Sequence, residues 1–146
     1  MMTEYVAACT YEGENTVMSL QTARFLHKSV EDSLQGNPLV GNARYLEGAA
    51  KRIDNEVFGG HTKADLSSPA VQLAAFQHRA ARILLRVHEN HAAQIKAGVA
   101  PDVAWNNNLV DLVRGSKAHC YVLLISNFIA AVNHLPVNLI FDAHVF

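Results

Sequence analysis

The chain has 146 residues, of which 50% are hydrophobic and 17% are charged, and its formal net charge is −1 at pH 7 with histidine neutral. This length suffices for one domain with a real hydrophobic core, and the composition excludes an intrinsically disordered chain. Because the charge is close to zero and no basic stretch is present, the sequence argues against a nucleic-acid partner.

The first motif is a glutamate directly before a glycine, Glu12-Gly13, at the entrance to a helical pattern. Apolar residues at helical spacing predict a helix from Thr16 to Leu34. Asn15 and Thr16 are residue types that cap helices, and Gly13 leaves room for a flat ring or another backbone. A carboxylate on such a defined piece of backbone suits a general base. It also suits an ordinary carboxylate stabilised by a helix N-terminus.

The middle of the chain alternates helical patterns with glycine-rich breaks. Gly36-Asn37-Pro38 is expected to end the first helix. A second helix is predicted over Leu39–Phe58, although Gly41 and Gly48 weaken its pattern. Residues 59–62 are predicted to form a flexible break.

A long helix is predicted to start at Ser67-Ser68-Pro69, because proline at the first helical position sacrifices only an unpaired amide. It should run to about Ala97, with Gly98 as its stop. Four basic residues on it are expected to face solvent: Arg79, Arg82, Arg86 and Lys96. Contact of the three arginines with a phosphate group is the alternative, and the solvated interpretation is favoured.

Two clusters of metal-ligand residue types have ordinary alternatives. His88-Glu89-Asn90-His91 resembles the zinc-protease pattern, but its second histidine comes three residues after the first instead of four. His119-Cys120 lacks a third ligand, so a packed cysteine and a hydrogen-bonded histidine are favoured. No metal site is predicted. Cys9 and Cys120 show no paired spacing and are interpreted as reduced thiols.

The last helix is predicted over Val103–His134, with an interruption near Arg114-Gly115-Ser116. Its second half, Tyr121–Val132, is apolar almost all round, which predicts burial on several sides. The apolar run over residues 118–132 is shorter than the ~20 residues that a membrane span needs, so no span is predicted.

These patterns together predict an all-α fold, a small bundle of about four helices. The N-terminus lacks the charged region and apolar core of a signal peptide. The tail over residues 136–146 is short, apolar and unlike the rest. It is interpreted as a short strand or as the product of a shifted reading frame or read-through intron, with the second interpretation favoured.

Five segments carry a family resemblance. Two lie at the first helix: Tyr11-Glu12-Gly13-Glu14-Asn15-Thr16-Val17-Met18 and Leu20-Gln21-Thr22-Ala23-Arg24. Three lie later: Asn106-Asn107-Asn108, Leu112-Val113 and Ala118-His119-Cys120-Tyr121. They resemble the peroxisomal acyl-CoA oxidases, and the later segments resemble that family's C-terminal helical region. The resemblance covers roughly residues 5–132, and Glu14 stands where many members carry aspartate. The family's flavin-binding β domain and N-terminal helices have no counterpart here.

The resemblance implies that the chain is part of a FAD-dependent acyl-CoA oxidase. Glu12 would be the base that removes the α-proton of a fatty acyl-CoA, and its backbone N–H would point at the thioester carbonyl. Gly13, Asn15 and Thr16 would contact FAD. The β-hydride would pass to the flavin, which oxygen reoxidises, so the products would be a trans-2-enoyl-CoA and hydrogen peroxide.

The resemblance also implies a domain division, a location and an assembly. Residues 1–60 would be the end of the catalytic helical domain that carries Tyr-Glu-Gly, 61–135 the C-terminal oxidase helical domain, and 136–146 an atypical tail. The family is peroxisomal, although the C-terminal residues 143–146 do not match a Ser-Lys-Leu address. A homodimer is implied for the full-length enzyme.

We expect the isolated chain to be inactive, because it supplies a base without a flavin-binding domain. One alternative is a non-catalytic helical dimerisation module derived from an acyl-CoA oxidase. Another is a fragment of the related acyl-CoA dehydrogenases, which pass electrons to a protein acceptor. Asn15-Thr16-Val17 after Tyr-Glu-Gly favours the oxidases.

Overall fold

A computed structural model describes residues 15–57 and 59–134, apart from the side chain of Thr16. This part of the chain contains α-helices and one 3₁₀ helix, with no strand. The α-helices are α1 (Asn15–Leu34), α2 (Ala49–Arg52), α3 (Lys63–Ser67), α4 (Pro69–Lys96), α5 (Pro101–Asn107) and α6 (Leu109–Asn133), and the 3₁₀ helix is Gly41–Leu46. Three long helices, α1, α4 and α6, pack together, and the prediction of an all-α bundle is confirmed.

The first helix ends at Leu34 as predicted, and the chain is helical from Asn15, the first described residue. Gly36 ends it with a φ of 81°. The amides of Gly36 and Asn37 donate to the carbonyls of Ser33 and Asp32 at 3.1 and 2.9 Å. Glycine adopts this left-handed conformation without the steric cost of a Cβ, so the predicted glycine end is confirmed.

The single helix predicted over Leu39–Phe58 is wrong. A 3₁₀ helix and the four-residue α2 replace it, with Gly48 between them. Gly41 and Gly48 each have a φ of 62°, which is incompatible with a right-handed helix and favours glycine. The apolar residues of this segment still reach the core: Leu39, Ala43, Leu46, Ala49 and Ile53.

The predicted flexible break over 59–62 contains the cap of a short helix that the pattern did not reveal. The Thr62 hydroxyl accepts a hydrogen bond from the Asp65 amide at 3.2 Å. The Asp65 carboxylate accepts from the amides of Thr62 and His61 at 2.9 and 3.1 Å. These hydrogen bonds, those from Thr62 first, lower the pKa of Asp65. The reciprocal pair is a capping box and explains why α3 starts here.

The long helix α4 runs from Pro69 to Lys96, and Gly98 follows with a φ of 87°, so its predicted limits are confirmed. The last helical region is divided, but not where it was predicted. Asn108 separates α5 from α6, and its side-chain amide donates to the Ala104 carbonyl at 2.8 Å. Gly115, the predicted point of interruption, lies inside the continuous helix α6.

Helices α4 and α6 meet through small residues. Ala80 and Ala118 are buried there. Gly115 faces α4 so closely that a Cβ on it would lie 2.7 Å from Cδ2 of Leu84. Small side chains at facing positions let two helices approach, and this contact therefore sets their spacing.

Helix α1 and the 3₁₀ helix complete the core against α4. One cluster joins these elements through ten buried residues: Leu26, Val30, Leu39, Ala43, Leu46, Ala49, Ile53, Ala81, Leu84 and Leu85. A second joins α1, α4 and α6 through Ala23, Val87 and Leu112. Both clusters use side chains of α1 at helical spacing, as the apolar pattern predicted.

The second half of α6 is not buried on several sides, so that prediction is wrong. Val122 is 3% exposed, whereas Tyr121, Leu124 and Phe128 are 50%, 66% and 69% exposed. Only the side facing α4 is covered within the described residues. The helix is also longer than the apolar run at 118–132. By length and composition α6 is long enough to cross a membrane, a property that core helices of soluble proteins share.

The Gly115 contact yields a stability prediction. Gly115→Val should lower the free energy of unfolding by about 1–3 kcal/mol, because the new side chain must displace buried Leu84. Urea unfolding at constant m-value measures this cost.

Ala92→Val is the matched control for Gly115→Val. It places the same side chain on an exposed position of α4, where the helix-propensity cost is below about 0.7 kcal/mol. Equal costs for the two variants would show that the α4–α6 spacing does not depend on a residue without a side chain.

Candidate functional site

The proposed catalytic motif and the described structure meet at the first turn of α1. Glu12 and Gly13 lie outside the described residues, as does the side chain of Thr16. Asn15, the first described residue, is exposed and already helical, and the residues before it lie outside the described part of the chain. The structure therefore locates the helix that the motif precedes.

The start of α1 is held against α6 by a buried hydroxyl. Ser116 is almost fully buried, and its Oγ donates to the Ser19 carbonyl at 2.6 Å while lying 3.1 Å from the Leu112 carbonyl. Leu20 packs beside this contact against the cluster of α1, α4 and α6. Ser19 is one helical turn from Asn15, so the contact fixes the end of α1 that the motif precedes.

The outer side of the same turn is open. Val17 and Met18 are exposed apolar residues. Gln21 is exposed as well, and its Oε1 lies 3.5 Å from Nη1 of Arg24. The beginning of α1 thus has one side fixed on the bundle and another side accessible to a further group.

A cavity lies elsewhere, between the segment after α2 and the first turns of α4. It has a volume of about 620 Å³ and a mostly aliphatic lining that includes Ile53 and Val71. At its edge the Glu56 carboxylate accepts from Arg52 Nε at 3.0 Å and lies 2.8 Å from His78 Nδ1. These hydrogen bonds, that from His78 first, lower the pKa of Glu56. The polar groups at the edge of the cavity are therefore hydrogen-bonded to one another.

A buried polar pair links the 3₁₀ helix to α6. Tyr45 Oη lies 3.0 Å from His119 Nδ1, and the two rings are stacked. Burial lowers the pKa of His119 and raises that of Tyr45, so both groups are neutral and share one hydrogen bond. The hydrogen-bonded interpretation of His119 is confirmed. Cys120 is exposed, so the prediction of a packed cysteine is wrong.

The two histidines of the near-miss zinc motif join a partner that the sequence did not indicate. The His27 ring centroid lies 4.9 Å from that of His88, 4.9 Å from that of His91 and 5.5 Å from that of Trp105. Within residues 15–57 and 59–134, no group of three ligand residues is arranged to hold a metal ion. His27 lies beside buried Leu26 on α1. Its position next to the apolar stripe was the only feature of the sequence that could have indicated this contact.

The remaining predicted contacts are structural or solvated. Arg79, Arg82 and Arg86 are all exposed, which confirms their solvated interpretation. The Asn107 side chain donates to Gln94 Oε1 at 2.9 Å and ties α5 to α4. These residues therefore do not converge with the beginning of α1 on one site.

Comparison with known families decides the chain's relationship. The family model described as acyl-CoA oxidase matches residues 68–140, half of the chain. This chain belongs to the acyl-CoA oxidase family. A second model, described as acyl-CoA oxidase C-alpha1 domain, matches residues 1–27. The resemblance predicted from Tyr-Glu-Gly and the later segments is confirmed.

Similar acyl-CoA oxidases come from animals and plants. Peroxisomal acyl-coenzyme A oxidase 1 of Mus musculus is 42% identical over 127 residues, and that of Homo sapiens 39% over 126; each match covers 85% of this chain and 19% of the relative. Arabidopsis thaliana acyl-CoA oxidase 1 has a TM-score of 0.79 at 35% identity, covering 90% of this chain and 19% of that one. The chain thus spans about a fifth of the length of these relatives.

A solved acyl-CoA oxidase structure contains ligands. Acyl-CoA oxidase-2 of Caenorhabditis elegans, bound with FAD, ascaroside-CoA and ATP, has a TM-score of 0.73 at 30% identity; the match covers 90% of this chain and 18% of that one. The helical arrangement described above therefore also occurs in an acyl-CoA oxidase that holds a flavin and an acyl-CoA.

The Tyr45–His119 pair is testable by removing one hydroxyl. Tyr45→Phe should lower the free energy of unfolding by about 1–3 kcal/mol, because it leaves a nitrogen of buried His119 without its hydrogen-bond partner. Tyr121→Phe is the control, since it removes a hydroxyl from an exposed residue of the same helix. Similar urea midpoints for both variants would contradict a stabilising role for the pair.

Proposed function

We propose that this chain is the C-terminal helical portion of a FAD-dependent acyl-CoA oxidase. The complete enzyme converts a fatty acyl-CoA into a trans-2-enoyl-CoA and reduces oxygen to hydrogen peroxide, as a step of peroxisomal fatty-acid β-oxidation. The family membership and the named relatives support this proposal. The observation that carries it is the Tyr11-Glu12-Gly13 motif, which lies within the family match over residues 1–27 and precedes in sequence a helical segment whose Ser19 carbonyl is held by Ser116 of α6.

In this proposal Glu12 is the catalytic base. Its carboxylate takes the α-proton of the thioester, and its backbone N–H donates to the thioester carbonyl, which stabilises the negative charge that develops on that oxygen. FAD, when bound, accepts the hydride from the β-carbon and passes two electrons to oxygen. A base needs a reproducible position to act on one proton, and the Ser116–Ser19 contact supplies it for the following helix.

The proposed cofactor contacts are Gly13, Asn15 and Thr16. Asn15 is exposed, so a cofactor can reach it. Gly13 and Thr16 are proposed from the family motif alone.

We extend the proposal to domains, location and assembly. Residues 1–60 form the end of the catalytic helical domain, 61–135 the C-terminal helical domain and 136–146 an atypical tail. The family matches at 1–27 and 68–140 support the first two parts, and the second match extends five residues into the tail. Relatives named peroxisomal support that location. The full-length enzyme is proposed to be a homodimer.

The role of Glu12 is best tested in a full-length context. The matching segment of the Mus musculus enzyme is replaced by this chain, and peroxide formation from an acyl-CoA is measured. Glu12→Gln should lower kcat by about 10³-fold, because the amide cannot accept the α-proton, while bound FAD, measured by its absorbance, stays constant.

The neighbouring Glu14→Gln is the matched control for Glu12→Gln, because it removes the other carboxylate of the motif. It should leave kcat within about threefold of the parent chimera. Undiminished turnover in a flavin-loaded Glu12→Gln chimera would exclude Glu12 as the base.

A second candidate function is a non-catalytic helical dimerisation module. It is favoured by the exposed apolar side chains of α6: Tyr121, Leu124 and Phe128. A continuous apolar surface of this kind is typical of an interface. This function needs no flavin and no base, so its distinguishing property is association of the isolated chain.

The isolated chain separates the two candidates. With acyl-CoA, FAD and oxygen we expect no peroxide above the level of the Glu12→Gln variant, because the chain spans about a fifth of its relatives. Light scattering gives its molecular mass in the same samples. Peroxide formation that depends on Glu12 would overturn the expected inactivity, and a stable dimer without activity would favour the module.

A further inference from the structure

Four aromatic side chains from three helices meet on the inner side of α1. His27 belongs to α1, His88 and His91 belong to α4, and Trp105 belongs to α5. The His27 ring lies edge-on to His91 and Trp105, with interplanar angles of 89° and 75°, and tilted against His88. The His91 and Trp105 centroids are 5.9 Å apart. We call this group the histidine–tryptophan joint.

The joint contains buried ring nitrogens without acceptors. Nε2 of His27 and Nδ1 of His88 are buried, and neither has a hydrogen-bond partner among the described residues. A neutral imidazole can leave one nitrogen unprotonated, but an imidazolium carries a proton on both. Protonation would therefore place an N–H where the described residues offer no acceptor, which costs free energy in a buried site.

The charges around the joint do not compensate for a proton on His27. The charged residues on the four surrounding helices are Arg24, Lys28, Glu31 and Asp32 on α1, Arg79, Arg82, Arg86, Glu89 and Lys96 on α4, Asp102 on α5, and Asp111, Arg114 and Lys117 on α6. Asp111 and Arg114 pair with each other at 3.1 Å. Glu31 and Glu89 favour the charged form of His88, whereas His88 and His91 both disfavour a charge on His27.

We propose that the histidine–tryptophan joint is a proton-sensitive contact that holds α1 on α4 and α5 while its rings are neutral and releases it when His27 is protonated. The proposal depends on the ring packing and on the unpartnered nitrogens. It is independent of the role proposed for Glu12.

The direction of the pH dependence follows from the pKa of His27. Burial first, and then His88 and His91, lower it from 6.5 to about 4. The folded state therefore favours the neutral ring, and the stability that it contributes is complete above pH 6.5. This stability is lost as the pH falls from 6.5 towards 4, because the unfolded chain then binds the proton more readily.

Urea unfolding of the 146-residue chain between pH 8 and pH 5 tests the proposal. The unfolding equilibrium constant should rise about tenfold more in the parent than in His27→Phe, after allowance for the partial exposure of the ring. His61→Phe is the matched control, since His61 is exposed, and it should keep the pH dependence of the parent. The His78–Glu56 pair is present in all three proteins and cancels in the comparison.

Two further measurements keep the test decisive. His27→Gln also removes the titrating group and replaces His27→Phe if the latter does not fold. In the parent, the His27 ring resonance should titrate well below pH 6.5, and the amides of α1 should exchange faster at pH 5 than the amides of α6 after correction for intrinsic rates. The proposal would be overturned if the parent and the His27 variants had the same pH dependence of unfolding, or if His27 titrated at its ordinary pKa.

Discussion

The close approach of α4 and α6 at Gly115 is the constraint on which the rest of the described structure depends. A Cβ at this position would lie 2.7 Å from Cδ2 of Leu84, so a side chain here would force buried Leu84 to move. The two helices at this spacing form the surface on which α1 packs. The same spacing brings His119 of α6 within hydrogen-bonding distance of Tyr45 in the 3₁₀ helix. A small residue in the middle of α6 therefore determines contacts on two sides of the bundle.

Polar groups inside the bundle then set the register of its elements, which apolar contacts alone leave loosely defined. Ser116 sets the register of α1, because its hydroxyl donates to the Ser19 carbonyl of that helix at 2.6 Å while lying 3.1 Å from the Leu112 carbonyl of its own helix. The Tyr45–His119 pair does the same for the 3₁₀ helix. Both α6 residues lie within four positions of Gly115, so spacing and register are determined by one short segment of α6.

The limits of α1 and α4 were predictable because local signals determine them: Gly36 and Gly98 adopt the left-handed conformation that ends a helix. The structure of the segment after α1 was not predictable. Its apolar residues keep a helical period, but two further glycines with positive φ divide it. The break at Asn108 depends on how α5 packs and leaves no clear signal in the sequence. The contact of His27 with His88 and His91 was also not predictable. His27 and His88 are 61 positions apart in the sequence, and only the tertiary packing of α1 on α4 brings them together. Glu12 was selected as a candidate base because of its resemblance to a family motif, and the spacing of apolar residues could not have selected it.

The two contacts of α1 have different consequences for the proposed base. The Ser116–Ser19 contact lies about 6 Å along the helix from Asn15, at 1.5 Å of rise per residue, whereas His27 lies about 18 Å from it. A rigid helix that is released at His27 pivots about the nearer contact, so its first residue moves much less than its last. The motif before Asn15 therefore depends mainly on the buried hydroxyl of α6. In the histidine–tryptophan joint, His27 lies between Leu26 and Val30, which pack the far half of α1 into the core, so its protonation weakens that packing. In these proposals, the position of the base depends on the contact at Ser19 and the sensitivity to protons on the middle of the same helix.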